Sequence, residues 1–126
     1  MTIIASMTRK AIRQQIGYTL EAIIVSEASA GGAATTLIDT VELARGGDDE
    51  YNGHHLQMNT GSATNIGLKR WVTDFATSSK TLTFADLTAV TADGDGYELW
   101  KPPYDINHIN ALIAQAEVVA TPLVLV

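Results

Sequence analysis

Three groups of residues have types that could do chemistry: the pair His54-His55, the run Asp48-Asp49-Glu50, and the turn Asp93-Gly94-Asp95-Gly96. Adjacent histidines invite a metal, but Gly53 to Asn59 reads as a strand, where successive side chains point to opposite faces and cannot readily share one ion. The third histidine, His108, falls on a predicted helix far along the chain. The three carboxylates lack the ordered spacing of a calcium loop and read as a solvated surface run. Asp93, Asp95 and Gly96 match only the opening of an EF-hand loop, because no glutamate stands six residues past Gly96; a β-turn is the better reading. A histidine and a carboxylate from 48–50 could still meet in three dimensions as an acid–base pair, which the sequence leaves open. No phosphate-binding loop, dinucleotide fingerprint, nucleophile elbow or HExxH is present, and no serine stands in an activating context. The expectation is a protein that is not an enzyme, with no catalytic, metal or cofactor residues.

The elements that carry these residues follow from patterning. Ile12, Ile16, Leu20 and Ile24 recur every fourth position, so a helix is expected from about Ser6 to Ile24, capped by Ser6 or Thr8, with Gly17 a place to end or bend. Arg9, Lys10 and Arg13 crowd its start, where the helix dipole disfavours positive charge. A solvated face explains them, and so does a contact with an acidic partner. Ile23 to Val25 and Thr35 to Ile38 are predicted strands around the flexible Ala30-Gly31-Gly32-Ala33. Val41 to Asn52 is a surface loop by composition.

The stretch from Gly67 to Trp100 supplies the firmest β signal. Leu68 to Phe75, a polar turn at Thr77 to Lys80, and Thr81 to Phe84 predict a hairpin, and Tyr97 to Trp100 a closing strand. Phe75 falls on the Trp71 face, so either both faces are partly covered or a bulge resets the phase. Trp71, Trp100, Tyr51 and Tyr97 are either an aromatic binding patch or core filling, and their alternation fits the core. Asp105 is the expected cap of a second helix to about Ala120, with Tyr104 and Ile109 as a staple and Ile106, Ile109, Ile113, Ala116 and Ala120 as its stripe. Pro122 is expected to stop it, leaving Leu123 to Val126 as an apolar tail that pairs within the fold or meets a neighbour.

The 126 residues therefore predict one α+β domain: a small antiparallel β-barrel or sandwich (25–101) between an N-terminal helix and arm (1–24) and a C-terminal helix (105–120), then the tail 121–126. The chain is 46% hydrophobic and 17% charged. That charge content is low against about 25% for globular proteins and favours contact with copies or partners. The net charge of −6 disfavours nucleic-acid backbone and anionic lipid, no apolar run is long enough to span a bilayer, and the absence of cysteine excludes thiolate chemistry. The basic residues of 1–15 follow the apolar ones, the reverse of a signal peptide. The resulting candidate interface comprises Arg9, Lys10, Arg13, Asp48, Asp49, Glu50, Leu123, Val124, Leu125 and Val126.

One stretch resembles a known family. Arg70 to Val72, Thr81 to Phe84 and Gly94 to Leu99 are similar to the arginine-valine, Thr-Leu-Thr-Phe and Gly-Asp-x-Tyr-Glu-Leu strands of a small β-barrel module of tailed-bacteriophage virion proteins, in which a helix follows. Gly96, a second glycine in the turn, departs from that pattern, and the likeness covers about Thr35 to Gln115. The resemblance implies a virion structural protein, most closely a neck or head–tail connector component, assembled in the host cytoplasm into a ring of copies. It implies contacts with portal, neck or tail proteins, and no catalysis. The alternative is a particle-bound binding module, such as a tail-fibre base or a receptor or glycan binder.

Overall fold

The computed structural model describes the backbone of residues 8–125 and the side chains of residues 8–116. Helix α1 spans Arg9–Thr19; strands β1 (Ile23–Glu27), β2 (Thr36–Ile38), β3 (His55–Met58), β4 (Lys69–Ala76), β5 (Thr81–Phe84) and β6 (Gly96–Trp100) follow; helix α2 spans Ile106–Leu125. The strands form one antiparallel sheet in the order β1-β6-β3-β4-β5-β2. The sheet is open, and its curl gives a sandwich-like α+β fold. β1 and β2, consecutive in sequence, occupy opposite ends of the sheet, and a single bridge, Ala30 to Ile38, joins the chain beyond β1 to β2.

The curl starts in β4. Its register with β5 shifts between Val72 and Asp74, so Thr73 is an extra residue. The bulge lets Val72 and Phe75, three apart, both point inward, and both are buried. They join Leu37, Leu56, Met58, Leu82, Phe84, Tyr97 and Leu99 in the main core, between the two halves of the sheet. The Thr77–Lys80 turn and the Asp93–Gly96 turn form as expected; Gly94 takes a φ of 90°, and the Asp95 carboxylate accepts from the Ala92 amide at 2.9 Å.

A second core lies on the outer face of β6. β6 is buried along its whole length: Tyr97 and Leu99 face the main core, and Trp100 faces Ala22, Ile106, Ile109 and Ile113, with Ile12, Ile16, Ile23 and Tyr104 at the margin. Burying an isoleucine is worth roughly 1.5–3 kcal/mol, so Ile106, Ile109 and Ile113 hold α2 far more firmly than its cap does. Ile106, Ile109 and Ile113 of the expected stripe are buried, whereas Ala116 is exposed and the side chain of Ala120 lies outside the described residues; the end of the helix also differs. α2 continues to Leu125 with Pro122 inside its last turn, where the proline forfeits its own main-chain bond but keeps a φ compatible with the helix. The expected stop at Pro122 and the separate tail from 121 are therefore corrected.

α1 also ends elsewhere than expected. Thr8 caps it, accepting from the Ala11 amide at 3.1 Å, and it closes at Thr19, with Glu21 in the left-handed region at φ 53°. The four-residue stripe overran because Ile24 belongs to β1 and packs on the main core. Gly17 neither ends nor bends the helix. It is buried, and a Cβ there would lie 2.7 Å from the Cβ of Ile23, so the glycine sets how closely α1 approaches β1. Gly17→Ala would gain about 1 kcal/mol of helix propensity. Forcing the main chains apart costs typically 1–3 kcal/mol, so urea unfolding should show a net loss. A more stable Gly17→Ala protein would contradict the close approach.

Candidate functional site

The sheet face under the helices is built from two cross-strand rows. One runs Ile23, Trp100, His55, Trp71; the next runs Val25, Glu98, Gln57, Lys69. The first row is largely aromatic and apolar, while the second places a carboxylate beneath α1. Arg13 answers it. Nε donates to Glu98 Oε1 at 2.8 Å, Nη2 donates to the same oxygen, Nη1 reaches Asn110 Oδ1 on α2 at 3.1 Å, and the Trp100 indole donates to Glu98 Oε2 at 3.2 Å. Arg13 is 4% exposed and Glu98 fully buried. Arg13 is therefore removed from the candidate interface. It shares the inward face of α1 with Gly17, four residues on, and lies beside Ile12 and Ile16, and its fork joins α1, β6 and α2.

Asp39, just past β2, organises the opposite edge. Its Oδ1 accepts from the amides of Val41 and Glu42 at 2.9 and 3.1 Å, and its Oδ2 from Ser26 Oγ at 2.8 Å and Tyr97 Oη at 2.6 Å. Burial, then the hydrogen bond and charge of Asp39, push the Tyr97 phenol far above its ordinary range. Asn65 performs a similar task between loops, exchanging two 2.9 Å bonds with the main chain of Ala89.

The histidines separate. His54 is half-buried and meets Tyr51 edge-on, while His55 is buried and stacks on Trp71 with centroids 3.9 Å apart and planes 9° from parallel. Burial pulls both below their ordinary pKa. Among the described residues no three histidine, cysteine or carboxylate side chains converge as a metal site. Of the four aromatics, Trp100 and Tyr97 are fully buried, Tyr51 half-buried on the main core, and Trp71 48% exposed. A binding platform built on both tryptophans is thus not present in this arrangement.

The acidic run is exposed and attached to the β4–β5 hairpin. Asp48 Oδ1 accepts from the Thr77 amide at 2.8 Å, and that bond holds its carboxyl below the usual range. The Asp49 amide donates to the Phe75 carbonyl, and a hydrogen bond with Asp49, followed by burial and that neighbour's charge, raises the Asp74 carboxyl. Arg9 and Lys10 are exposed at the start of α1, on the β1–β6 side of the sheet, whereas 48–50 sits at the β4–β5 side. Leu123, Val124 and Leu125 are helical in backbone, with side chains outside the described residues, and Val126 lies wholly outside them.

Neither a family model, nor a curated protein, nor a solved structure matches this chain.

Sequence reasoning missed the unequal edges of the sheet. Lys101 donates to the Ala22 carbonyl and Ala28 to that of Asp95. In an antiparallel ladder bonding alternates, so Ile24 and Ser26 bond β6 while Ile23, Val25 and Glu27 turn their amides and carbonyls outward. At the other end, β2 is sealed. Thr36 bonds the Ala33 carbonyl and receives the Thr91 hydroxyl at 2.7 Å, and Ile38 receives the Ser29 amide at 2.8 Å. Among the described residues no strand pairs with the outer side of β1, and beside it stand the exposed apolar residues Tyr18, Leu20 and Val25. No local sequence signal reveals this, because which strand ends a sheet is set by pairing across the whole chain.

Proposed function

We propose that this chain is a structural subunit of a tailed-phage virion, a neck or head–tail connector component that assembles with copies of itself into a ring. The observation that carries this reading is the β1 edge, left without a strand partner among the described residues and bordered by apolar side chains, beside the cationic start of α1, with an anionic loop on the far side of the same sheet. A subunit with complementary surfaces at its two ends makes heterologous contacts, which close into rings when the rotation permits. The exposed Lys10 and the run Asp48-Asp49-Glu50 are the charged halves of such a contact. The likeness of Arg70 to Val72, Thr81 to Phe84 and Gly94 to Leu99 to the phage module supports the same reading. The chemistry is surface burial between subunits.

Native mass spectrometry and negative-stain electron microscopy of the purified protein test it, alongside a search for the chain in purified virions. Rings and virion incorporation are expected; a monomer at all concentrations, absent from particles, would sink the proposal. A charge reversal then tests the pairing. Lys10→Glu or Glu50→Lys alone should weaken assembly by about tenfold at low salt, and the chain carrying both should regain it, because each neighbouring pair is again opposite in sign. Equal behaviour of the single and double variants would separate the charges from the contact.

A further inference from the structure

His55 does a task that a strand histidine seldom does: it closes the N-terminus of a helix. Its Nδ1 lies 2.9 Å from the amide of Ile106, the first residue of α2, and accepts that hydrogen bond. The carboxylate of Asp105 stands 3.4 Å from the same nitrogen, and its Oδ1 also accepts from the Asn107 amide at 2.8 Å. An Nδ1 that accepts is unprotonated, so the ring is the neutral form carrying its proton on Nε2. Stacking on Trp71 fixes the ring plane, leaving Nδ1 aimed at the helix start.

We propose that His55 is a proton-operated latch on α2. When the ring is neutral, Nδ1 holds the Ile106 amide. When it gains a proton, Nδ1–H faces another donor, the Ile106 bond is lost, and the new N–H turns to Asp105, drawing that carboxylate from Asn107. Two of the orphan amides that open every helix are then released together. The charged groups facing the ring are Asp105 from the cap, which favours the cation, and Lys69 on β4, which opposes it. Glu98, diagonal to it on β6, is committed to Arg13 of α1. Ile109 and Ile113 remain packed, so the consequence is a loosened first turn and not loss of the helix. That turn also carries Tyr104 and Ile106 against Trp100, so the proton reaches the packing of both helices on the sheet.

The sign of the pH dependence follows from burial, which holds the folded-state pKa of His55 below 6.5. The unfolded chain therefore takes up the proton first. Stability from this site is complete above about pH 6.5 and is lost as pH falls through the lower folded value. Within that window the equilibrium shifts about tenfold per pH unit for one proton. The test is amide hydrogen exchange at Ile106 and Asn107, with the His55 ring followed by NMR, from pH 7.5 to 4.5.

Protection at these two amides, corrected for intrinsic exchange, should fall about tenfold per pH unit as the ring titrates. In His55→Asn the side-chain oxygen takes the place of Nδ1 and cannot titrate, so protection should stay flat. Protection that is unchanged as His55 ionises, or that falls equally in His55→Asn, would overturn the proposal. Should His55→Asn not fold, Asp105→Asn decides the matter. It keeps a capping side chain but removes the anion, so the His55 titration must move to lower pH, and an unmoved titration rejects the latch.

Discussion

Arg13→Ala should lower the unfolding free energy by about 3–5 kcal/mol, the usual cost of leaving one partner of a buried ion pair behind. Small domains have only about 5–15 kcal/mol in total, so the variant should be close to unfolding at physiological temperature. The reason lies in what remains. Glu98 is fully buried between the sheet and the helices and would keep, among the described residues, only the indole N–H of Trp100, while Asn110 loses its donor from α1. Arg13→Lys should recover little, because one ammonium cannot reproduce a fork that serves Glu98 and Asn110 together. The double variant Arg13→Met with Glu98→Leu should be more stable than Arg13→Ala, since it removes both desolvated charges while filling the space. Urea unfolding at constant m-value checks all three. An Arg13→Ala protein within about 1 kcal/mol of the parent would mean that the pair is solvated and exposed, as an isolated surface bridge is.

Asp39→Ala should cost about 2–4 kcal/mol, because it orphans two hydroxyls and two main-chain amides at once, with roughly 1–3 kcal/mol for each buried group left unpaired and partial relief from water. Tyr97→Phe should cost less, about 1–2 kcal/mol, since it removes one donor and leaves Asp39 its other three. The same contact predicts an alkaline limit. The folded-state pKa of Tyr97 is raised above the ordinary 10.0, by burial first and by Asp39 second. The stability it contributes is therefore complete below about pH 10 and is lost as pH rises toward the folded value. Phenolate absorbance should show one tyrosine ionising only together with unfolding, and Tyr97→Phe should abolish that step. A full tyrosine complement titrating in the folded protein would contradict the burial of this phenol.

These two clusters were the least legible part of the chain. Glu98 sits inside Gly-Tyr-Glu-Leu-Trp, and alternation alone puts it opposite Tyr97 and Leu99, which reads as a solvent face. The strand is buried on both faces because α1, distant in sequence, and α2, which folds back after it, cover the second one. Arg13 reads as surface or contact charge for the same reason: it falls between the apolar stripe residues, and the carboxylate that makes its burial tolerable is 85 residues away. His55 shows the limit from another side. Strand periodicity separates it from His54, yet nothing local announces a bond to an amide 51 residues later.

Local chemistry determined what depends on neighbours in the chain. The α+β class, the six strands near their observed places, the Thr77–Lys80 and Asp93–Gly96 turns, Thr8 as one of two candidate caps, the Asp105 cap and the Ile106, Ile109 and Ile113 part of the α2 stripe follow from periodicity and from residues with special backbone or capping preferences. The choice between a bulge and two covered faces at Phe75 was framed by the sequence and decided by pairing with β5. Only the tertiary structure decided that β1 and β2 end the sheet among the described residues, that the outer amides of β2 are sealed while those of β1 turn outward, and that Arg13 turns inward. Strand order and buried charge depend on partners distant along the chain, and no short-range pattern encodes which distant segment arrives.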